Sequence, residues 1–224
     1  MPEQVHVHPP QELEEGGETT SRSERVLEFG AALLLAAATI LVAWSGYQAA
    51  KWSGVQSRRY TQANTARSLA NRAETMASQE RLQDLLNFNR WLEVTTDGNQ
   101  QLADLYLRRF RPEFRPAFEA WIAQDPLHNK QAVPSPLLMK QYRLADQVKS
   151  DHLEVDADLR FGQGKDATEN TDDYVFTTVF FAAVMFFAGM SLRFRWSALR
   201  IGILVLAALL FVYGIVRLAT LPTL

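Results

Sequence analysis

Three apolar runs divide this chain, and a long polar stretch separates the first run from the second. A helix needs about 20 mainly apolar residues to cross the hydrocarbon core of a bilayer. The runs are long enough for that purpose, and they predict transmembrane helices at residues 21–50, 174–192 and 198–218. Membrane lipid is therefore the first partner that the sequence predicts.

The polar stretch at residues 51–173 also has the character of helix. No proline occurs in residues 11–111 or 137–221, and a proline inside a helix costs about 3 kcal/mol. Long helices are thus permitted on both sides of a proline-containing segment. This distribution predicts an all-α protein whose extramembrane domain is a long antiparallel helical hairpin with its tip at about 98–136. Gly98 is placed to cap the outgoing helix.

Small residues follow the first helix at the spacing of a coiled coil. Beyond the membrane, alanines recur at steps of three and four residues, the heptad spacing of core positions, at Ala63, Ala66, Ala70, Ala73 and Ala77. Gly46 and Ala50 belong to a set of small residues in the membrane run, where such residues let helices approach closely. These positions predict the interface of a homo-oligomer. Packing of the alanine seam inside one chain is the alternative.

The predicted tip is locally basic. Its four arginines are Arg108, Arg109, Arg111 and Arg115. Such a cluster would bind an anion, a lipid headgroup or an acidic protein partner. In the alternative, the arginines pair with carboxylates of the tip itself, namely Asp104, Glu113 and Glu119.

The returning helix is predicted to begin at Ser135–Pro136, an N-cap residue followed by proline at the first helical position. Gly162 and Gly164 are predicted to break it, and Asp166 to cap the helix that enters the membrane. His152 lies on an apolar helical stripe, so we expect a packed histidine rather than a metal ligand paired with Asp156.

The distribution of charge predicts the orientation. The short turn at 193–197 contains Arg193 and Arg195, and basic residues in short loops favour the cytoplasmic side. The N-terminus is then cytoplasmic, residues 51–173 lie outside, and the C-terminal residues 219–224 also lie outside. Residues 1–20 are polar and acidic, which predicts a disordered tail.

Two charged residues lie inside the ends of apolar runs. Glu28 is in the first run and Arg200 is in the third. A lone charge inside a membrane segment is costly. In the predicted orientation both residues lie at the cytoplasmic side, so we expect an ion pair between them. Solvation of Glu28 among the headgroups is the alternative.

Composition excludes several classes of function. The net charge is −2, and a nucleic-acid-binding protein would carry a basic face or arm. The chain has no cysteine, which excludes disulfides and thiolate metal sites. His152 has only local carboxylate neighbours (Asp151, Glu154 and Asp156), and no cofactor motif is present. We therefore expect neither an enzyme nor a cofactor.

The remaining classes are structural or transport proteins. The first prediction is an oligomeric membrane scaffold or partner-binding protein with a projecting helical stalk. The alternative is a pore-forming subunit of a channel or transporter, which needs polar groups at membrane depth; these are few here and mostly near the ends of the runs. The arrangement resembles small bacterial membrane proteins with a helical insert, which implies the inner membrane.

Overall fold

The computed structural model describes residues 22–194 and 196–224. Within these ranges every regular element is helical and no strand occurs, so the prediction of an all-α protein is confirmed. The elements are α1 (Arg22–Thr96), α2 (Gln100–Arg109), α3 (Arg115–Ile122), a 3₁₀ turn (Pro136–Leu138), α4 (Ala145–Ser191) and α5 (Ser197–Thr220). The predicted tail at 1–20 and Arg195 of the predicted basic turn lie outside the described residues.

Three of the helices, α1, α4 and α5, are long and apolar enough to cross a membrane. Contacts divide the chain into two compact units. We call them the apolar unit, which comprises residues up to Gln48 together with Asp173–Thr223, and the polar unit, which comprises Ala49–Asp172.

The end of α1 has the predicted glycine cap. Gly98 has φ +77°, a conformation that glycine adopts without steric cost. The backbone N–H of Asn99 donates to the carbonyl of Val94 at 3.0 Å, which closes the last turn as in a Schellman motif. The chain then turns into α2, where the Asn99 side chain accepts a hydrogen bond from the Leu102 N–H.

In the polar unit, α1 packs directly on α4. The hydroxyl of Ser150 donates to the backbone carbonyl of Ala70 at 3.0 Å. Other contacts join Tyr60 to Thr168, Arg67 to Asp158, and Arg81 to Gln147. As the residue number on α1 increases from 60 to 81, the number of its partner on α4 decreases from 168 to 147. The chain therefore runs in opposite directions along the two helices.

Helix α4 differs from the prediction at both its start and its middle. It begins at Ala145, because Ser135 and Pro136 form a separate 3₁₀ turn in which Ser135 accepts from the Leu137 N–H. It also continues through Gly162 and Gly164 and past Asp166, so the predicted break and cap are wrong. A glycine costs a helix only about 1 kcal/mol, and packing against α1 compensates for that cost.

Gly164 has a packing role. A Cβ built at this position would lie 2.7 Å from Cε1 of Tyr60, which is too close for a real contact. The Tyr60 hydroxyl is 3.1 Å from Oγ1 of Thr168, one turn further along α4. The Tyr60 ring therefore occupies the space that a side chain at position 164 would fill, while its hydroxyl is hydrogen-bonded to Thr168.

The core of the apolar unit combines small and aromatic side chains from all three helices. Its fully buried members are Ala38, Phe181, Val184, Ala188 and Ala207. Phe181 packs against Gly214 of α5, where a Cβ would lie 2.8 Å from the ring. Close helix contacts of this kind are typical of helices in lipid, where small residues let backbones approach.

The two glycines of α4 give a matched test of this packing. Gly162→Ala should raise the thermal unfolding midpoint slightly, because no atom lies within 4 Å of the added methyl group and alanine favours helix by about 1 kcal/mol. Gly164→Ala should lower the midpoint by about 2–4 °C, the effect of roughly 1 kcal/mol in a chain of this size. Equal midpoints for the two variants would contradict the packing described for Tyr60.

Candidate functional site

An aromatic cluster forms the core of the tip. Its fully buried or nearly buried rings are Phe88, Trp91, Phe110, Phe114, Phe118 and Trp121. Several pairs meet edge to face, as Phe110 and Phe114 do with ring centroids 5.0 Å apart, an arrangement that aromatic quadrupoles favour. The indole N–H of Trp121 donates to the carbonyl of Val133 at 2.7 Å. The tip is thus a packed structure and not an open loop.

Beside this cluster lies a buried charge network centred on Asp84 of α1. The side chain of Asp84 is only 1% exposed. Its Oδ2 accepts hydrogen bonds from the Tyr142 hydroxyl at 3.0 Å and from Nη1 of Arg111 at 3.3 Å. Nη2 of Arg111 also contacts Glu80 at 2.8 Å and Glu113 at 3.4 Å. One guanidinium therefore serves three carboxylates.

Burial is the strongest influence on the pKa of Asp84. Desolvation raises the pKa of Asp84 above its ordinary value, while the Tyr142 hydroxyl and the charge of Arg111 oppose that rise. Burial likewise raises the pKa of Tyr142, and the nearby negative charge of Asp84 adds to the effect. Tyr142 therefore acts as a neutral hydrogen-bond donor to the carboxylate.

The four tip arginines do not form one binding cluster. Arg111 belongs to the Asp84 network, and Arg115 donates to the carbonyls of Phe110 and Arg108. Arg108 and Arg109 are exposed. Of the arginine–carboxylate pairs that the alternative predicted, the described chain has the one between Arg111 and Glu113. Arg111 is thus engaged in an internal network, whereas Arg108, Arg109 and Arg115 are exposed. Binding of an anion or acidic partner at these exposed arginines stays a prediction.

Sequence reasoning missed Asp84 and Glu80, although a signal was present. Buried positions on α1 recur every seven residues at Ala63, Ala70 and Ala77, and the next position in that series is Asp84. A carboxylate at a heptad core position predicts a buried, partnered charge, because an isolated one would be too costly.

The alanine seam lies inside one chain. Its five members, Ala63, Ala66, Ala70, Ala73 and Ala77, are at most 5% exposed in the single chain. In this conformation they offer no surface to another subunit, which corrects their assignment to an oligomer interface. The physical reason is the small inner face of α4, where Ser150 and Ala157 are buried. Gly46 and Ala50, by contrast, are exposed.

In the apolar unit, the structure brings Glu28 and Arg200 together. Nη2 of Arg200 lies 3.5 Å from Oε1 of Glu28, and the Arg200 side chain is 12% exposed. A second pair, which the sequence did not suggest, joins Asp173 of α4 to Arg217 of α5 at 2.9 Å. Arg200 and Arg217 lie near opposite ends of α5, so the pairs connect it to α1 at one end and to α4 at the other.

The histidine prediction is wrong. His152 is exposed on α4 rather than packed, because the face of α4 that meets α1 carries Ser150 and Ala157 instead. Among the described residues, no group of three or more histidine, aspartate or glutamate side chains is arranged to hold a metal ion.

A charge-reversal cycle tests the pair in the apolar unit. Glu28→Arg and Arg200→Glu should each lower the melting temperature in detergent by about 2–4 °C, and the double reversal should recover most of that loss. Arg25→Glu provides a control, because Arg25 is exposed and no described carboxylate pairs with it. Additive losses in the double variant would show that the two charges do not interact.

Comparison with known proteins gives no match for this chain. No protein-family model matches it, and neither the curated proteins nor the solved structures contain a detectable relative. A function must therefore be argued from the packing and charges described above.

Proposed function

We propose that this protein is a non-enzymatic, homo-oligomeric scaffold or partner-binding protein of a membrane. The apolar segments of α1, α4 and α5 cross the bilayer, and the polar unit forms an antiparallel helical hairpin that presents its tip outside. The contacts between α1 and α4, which pair rising residue numbers on one helix with falling numbers on the other, support the hairpin. The packed aromatic core supports a tip of fixed shape.

The observation that carries the oligomer is an exposed apolar stripe on α4. Val148, Val155 and Leu159 are 47%, 69% and 58% exposed. With exposed His152 they recur at steps of four, three and four residues, which is the spacing of a coiled-coil seam. Each valine is two residues from a buried seam position and so lies about 200° around the helix from it. The stripe therefore faces away from α1.

A stripe of this kind favours association in water. Burying a valine or leucine side chain contributes about 1.5–3 kcal/mol relative to leaving it exposed. On α1, Leu69 and Met76 are also exposed, seven residues apart. Because the alanine seam already closes the hairpin, we assign these larger side chains to contacts with further copies of the chain.

The segment of α1 where the apolar unit meets the polar unit in sequence offers a second surface for the same assembly. Gly46 and Ala50 are exposed there, and outside its own stretch of helix nothing lies within 4 Å of a Cβ built at Gly46. Small residues on a lipid-facing surface let a second helix approach closely. We propose that this face of α1 meets another subunit within the bilayer.

The proposed location is a bacterial inner membrane, with the N-terminus in the cytoplasm and residues 51–173 outside. The charge of the short turn supports this orientation, since Arg193 lies in it. The pair between Glu28 and Arg200 places the starts of α1 and α5 together, so the N-terminus is assigned to the same side as the turn. Basic residues in short loops favour the cytoplasmic side.

A pore-forming subunit is the second candidate, and one observation favours it. The outer surface of α1 in the polar unit carries exposed neutral polar side chains at heptad-like steps, namely Asn64, Ser68, Asn71 and Thr75. In a ring of subunits such a surface would be suited to line a hydrated vestibule. Single-particle imaging in detergent separates the candidates, since a pore requires an axial opening through the ring and a scaffold predicts a closed bundle.

Substitution of the α4 stripe tests the oligomer. The double variant Val155→Gln and Leu159→Gln should reduce the mass of the complex in detergent, measured by native mass spectrometry, while the helical content stays unchanged. Leu127→Gln is a matched control, because Leu127 is 56% exposed but lies in the tip. An unchanged mass in the double variant would show that the stripe is not an interface. A mass of one chain for the native protein would refute the proposed oligomer.

A further inference from the structure

Asp84 lies where three parts of the polar unit meet. Asp84 and Glu80 come from α1, Arg111 and Glu113 from the segment around the α2–α3 junction, and Tyr142 from the segment before α4. A change in the charge of the Asp84 carboxyl therefore alters the contacts of α1 with the tip and with the segment before α4 together.

The charges around Asp84 do not balance. Arg111 is the one cation in ion-pair contact with Glu80, Asp84 and Glu113 among the described residues. Arg81 is the next basic group that acts on this site, and it bonds to Gln147 at 3.5 Å. Three ionised carboxylates around one guanidinium leave a negative excess beside Asp84, whose side chain is only 1% exposed, and an incompletely compensated charge in a buried position is unfavourable.

One oxygen of Asp84 also lacks a hydrogen-bond donor. Oδ1 is inaccessible to solvent and has no partner in the described chain, whereas Oδ2 accepts from Tyr142 and Arg111. A buried charged oxygen without a donor carries a desolvation cost that is not repaid. A proton on Oδ1 would remove the charge and leave both bonds to Oδ2 in place.

We propose that Asp84 is an acid-stabilised latch, in which a proton taken from solvent by its carboxyl strengthens the packing of the tip against α1 and the start of α4. The groups that act on it are Glu80 of α1, Arg111 and Glu113 of the tip, and Tyr142, and the charge of Arg81 acts on Tyr142. The latch operates within a single chain and does not depend on the proposed oligomer.

The direction of the pH effect follows from linkage. The pKa of Asp84 is raised above its ordinary value of 3.8, chiefly by burial. The folded state then holds its proton at pH values where the unfolded chain has lost it, so this group stabilises the fold most below the ordinary pKa. That contribution is lost as the pH rises through the raised value.

Hydrogen exchange on the full-length protein in detergent tests the latch. After correction for the intrinsic rate, protection of peptides from residues 100–143 in the native protein should fall by more than about twofold as the pH rises from about 4 to about 7.5, because the raised pKa of Asp84 lies above its ordinary value of 3.8 and the proton is lost as the pH passes through it. Asp84→Asn should change less than about twofold over the same range, because its amide does not titrate. Glu119→Gln is the matched control, since Glu119 is an exposed carboxylate of the tip that lies outside the Asp84 network, so this variant should keep the native pH dependence.

Infrared spectroscopy gives a second readout that needs no Asp84 variant to fold. A carboxylic acid carbonyl band should persist in the native protein above the pH at which ordinary carboxyl groups lose theirs. Tyr142→Phe removes a donor to the charged form and should move the loss of that band to higher pH. The latch is refuted if the native protein lacks the band, or if Asp84→Asn keeps the native pH dependence of exchange.

Discussion

The close approach of α1 and α4 is the constraint on which the rest of the polar unit depends. A side-chain hydroxyl, that of Ser150, reaches the backbone carbonyl of Ala70 directly, and the Tyr60 ring rests on the bare backbone of Gly164. Such contacts require small residues at the buried positions, which are alanine between Ala63 and Ala77 of α1 and serine, alanine or glycine between Ser150 and Gly164 of α4. Because alanine buries little area, the seam gives geometric specificity more than hydrophobic energy.

Two consequences follow from the narrow seam. Larger apolar side chains have no room between the helices, so Val148, Val155 and Leu159 lie on the far side of α4. At the tip, the seam gives way to large aromatic rings and to the Asp84 network, which hold α1 against the segments that return to α4. The helices are thus joined by small residues along their length and by a conventional packed core at the tip.

The sequence predicted what depends on local chemistry. The absence of proline permitted the long helices, Gly98 ended α1, and the charges of Glu28 and Arg200 indicated a contact that the structure also contains. The predictions from sequence failed where tertiary packing determines the structure. Gly162 and Gly164 look like helix breakers by propensity, yet one is tolerated on the surface and the other is needed by Tyr60.

Helical periodicity also does not say which partner a face will meet. The alanines at heptad spacing were compatible with an interface between subunits, and only the position of α4 places them inside one chain. Asp84 was missed because a single carboxylate in a polar helix is expected at the surface. Only its place in the seven-residue series of buried positions indicates that it is buried. The partners of Arg111 in the basic tip were not predicted, because two of the carboxylates that it contacts, Glu80 and Asp84, come from α1.

The central claim is that one face of α4 closes the chain while the opposite face meets another copy. The chain has no cysteine, so single cysteines can be placed along α4 and oxidised in native membranes. The account predicts cross-linked dimers from Val155→Cys and Leu159→Cys and none from Ala157→Cys, which is buried against α1. Cross-linking at Ala157 or at none of the three positions would contradict it.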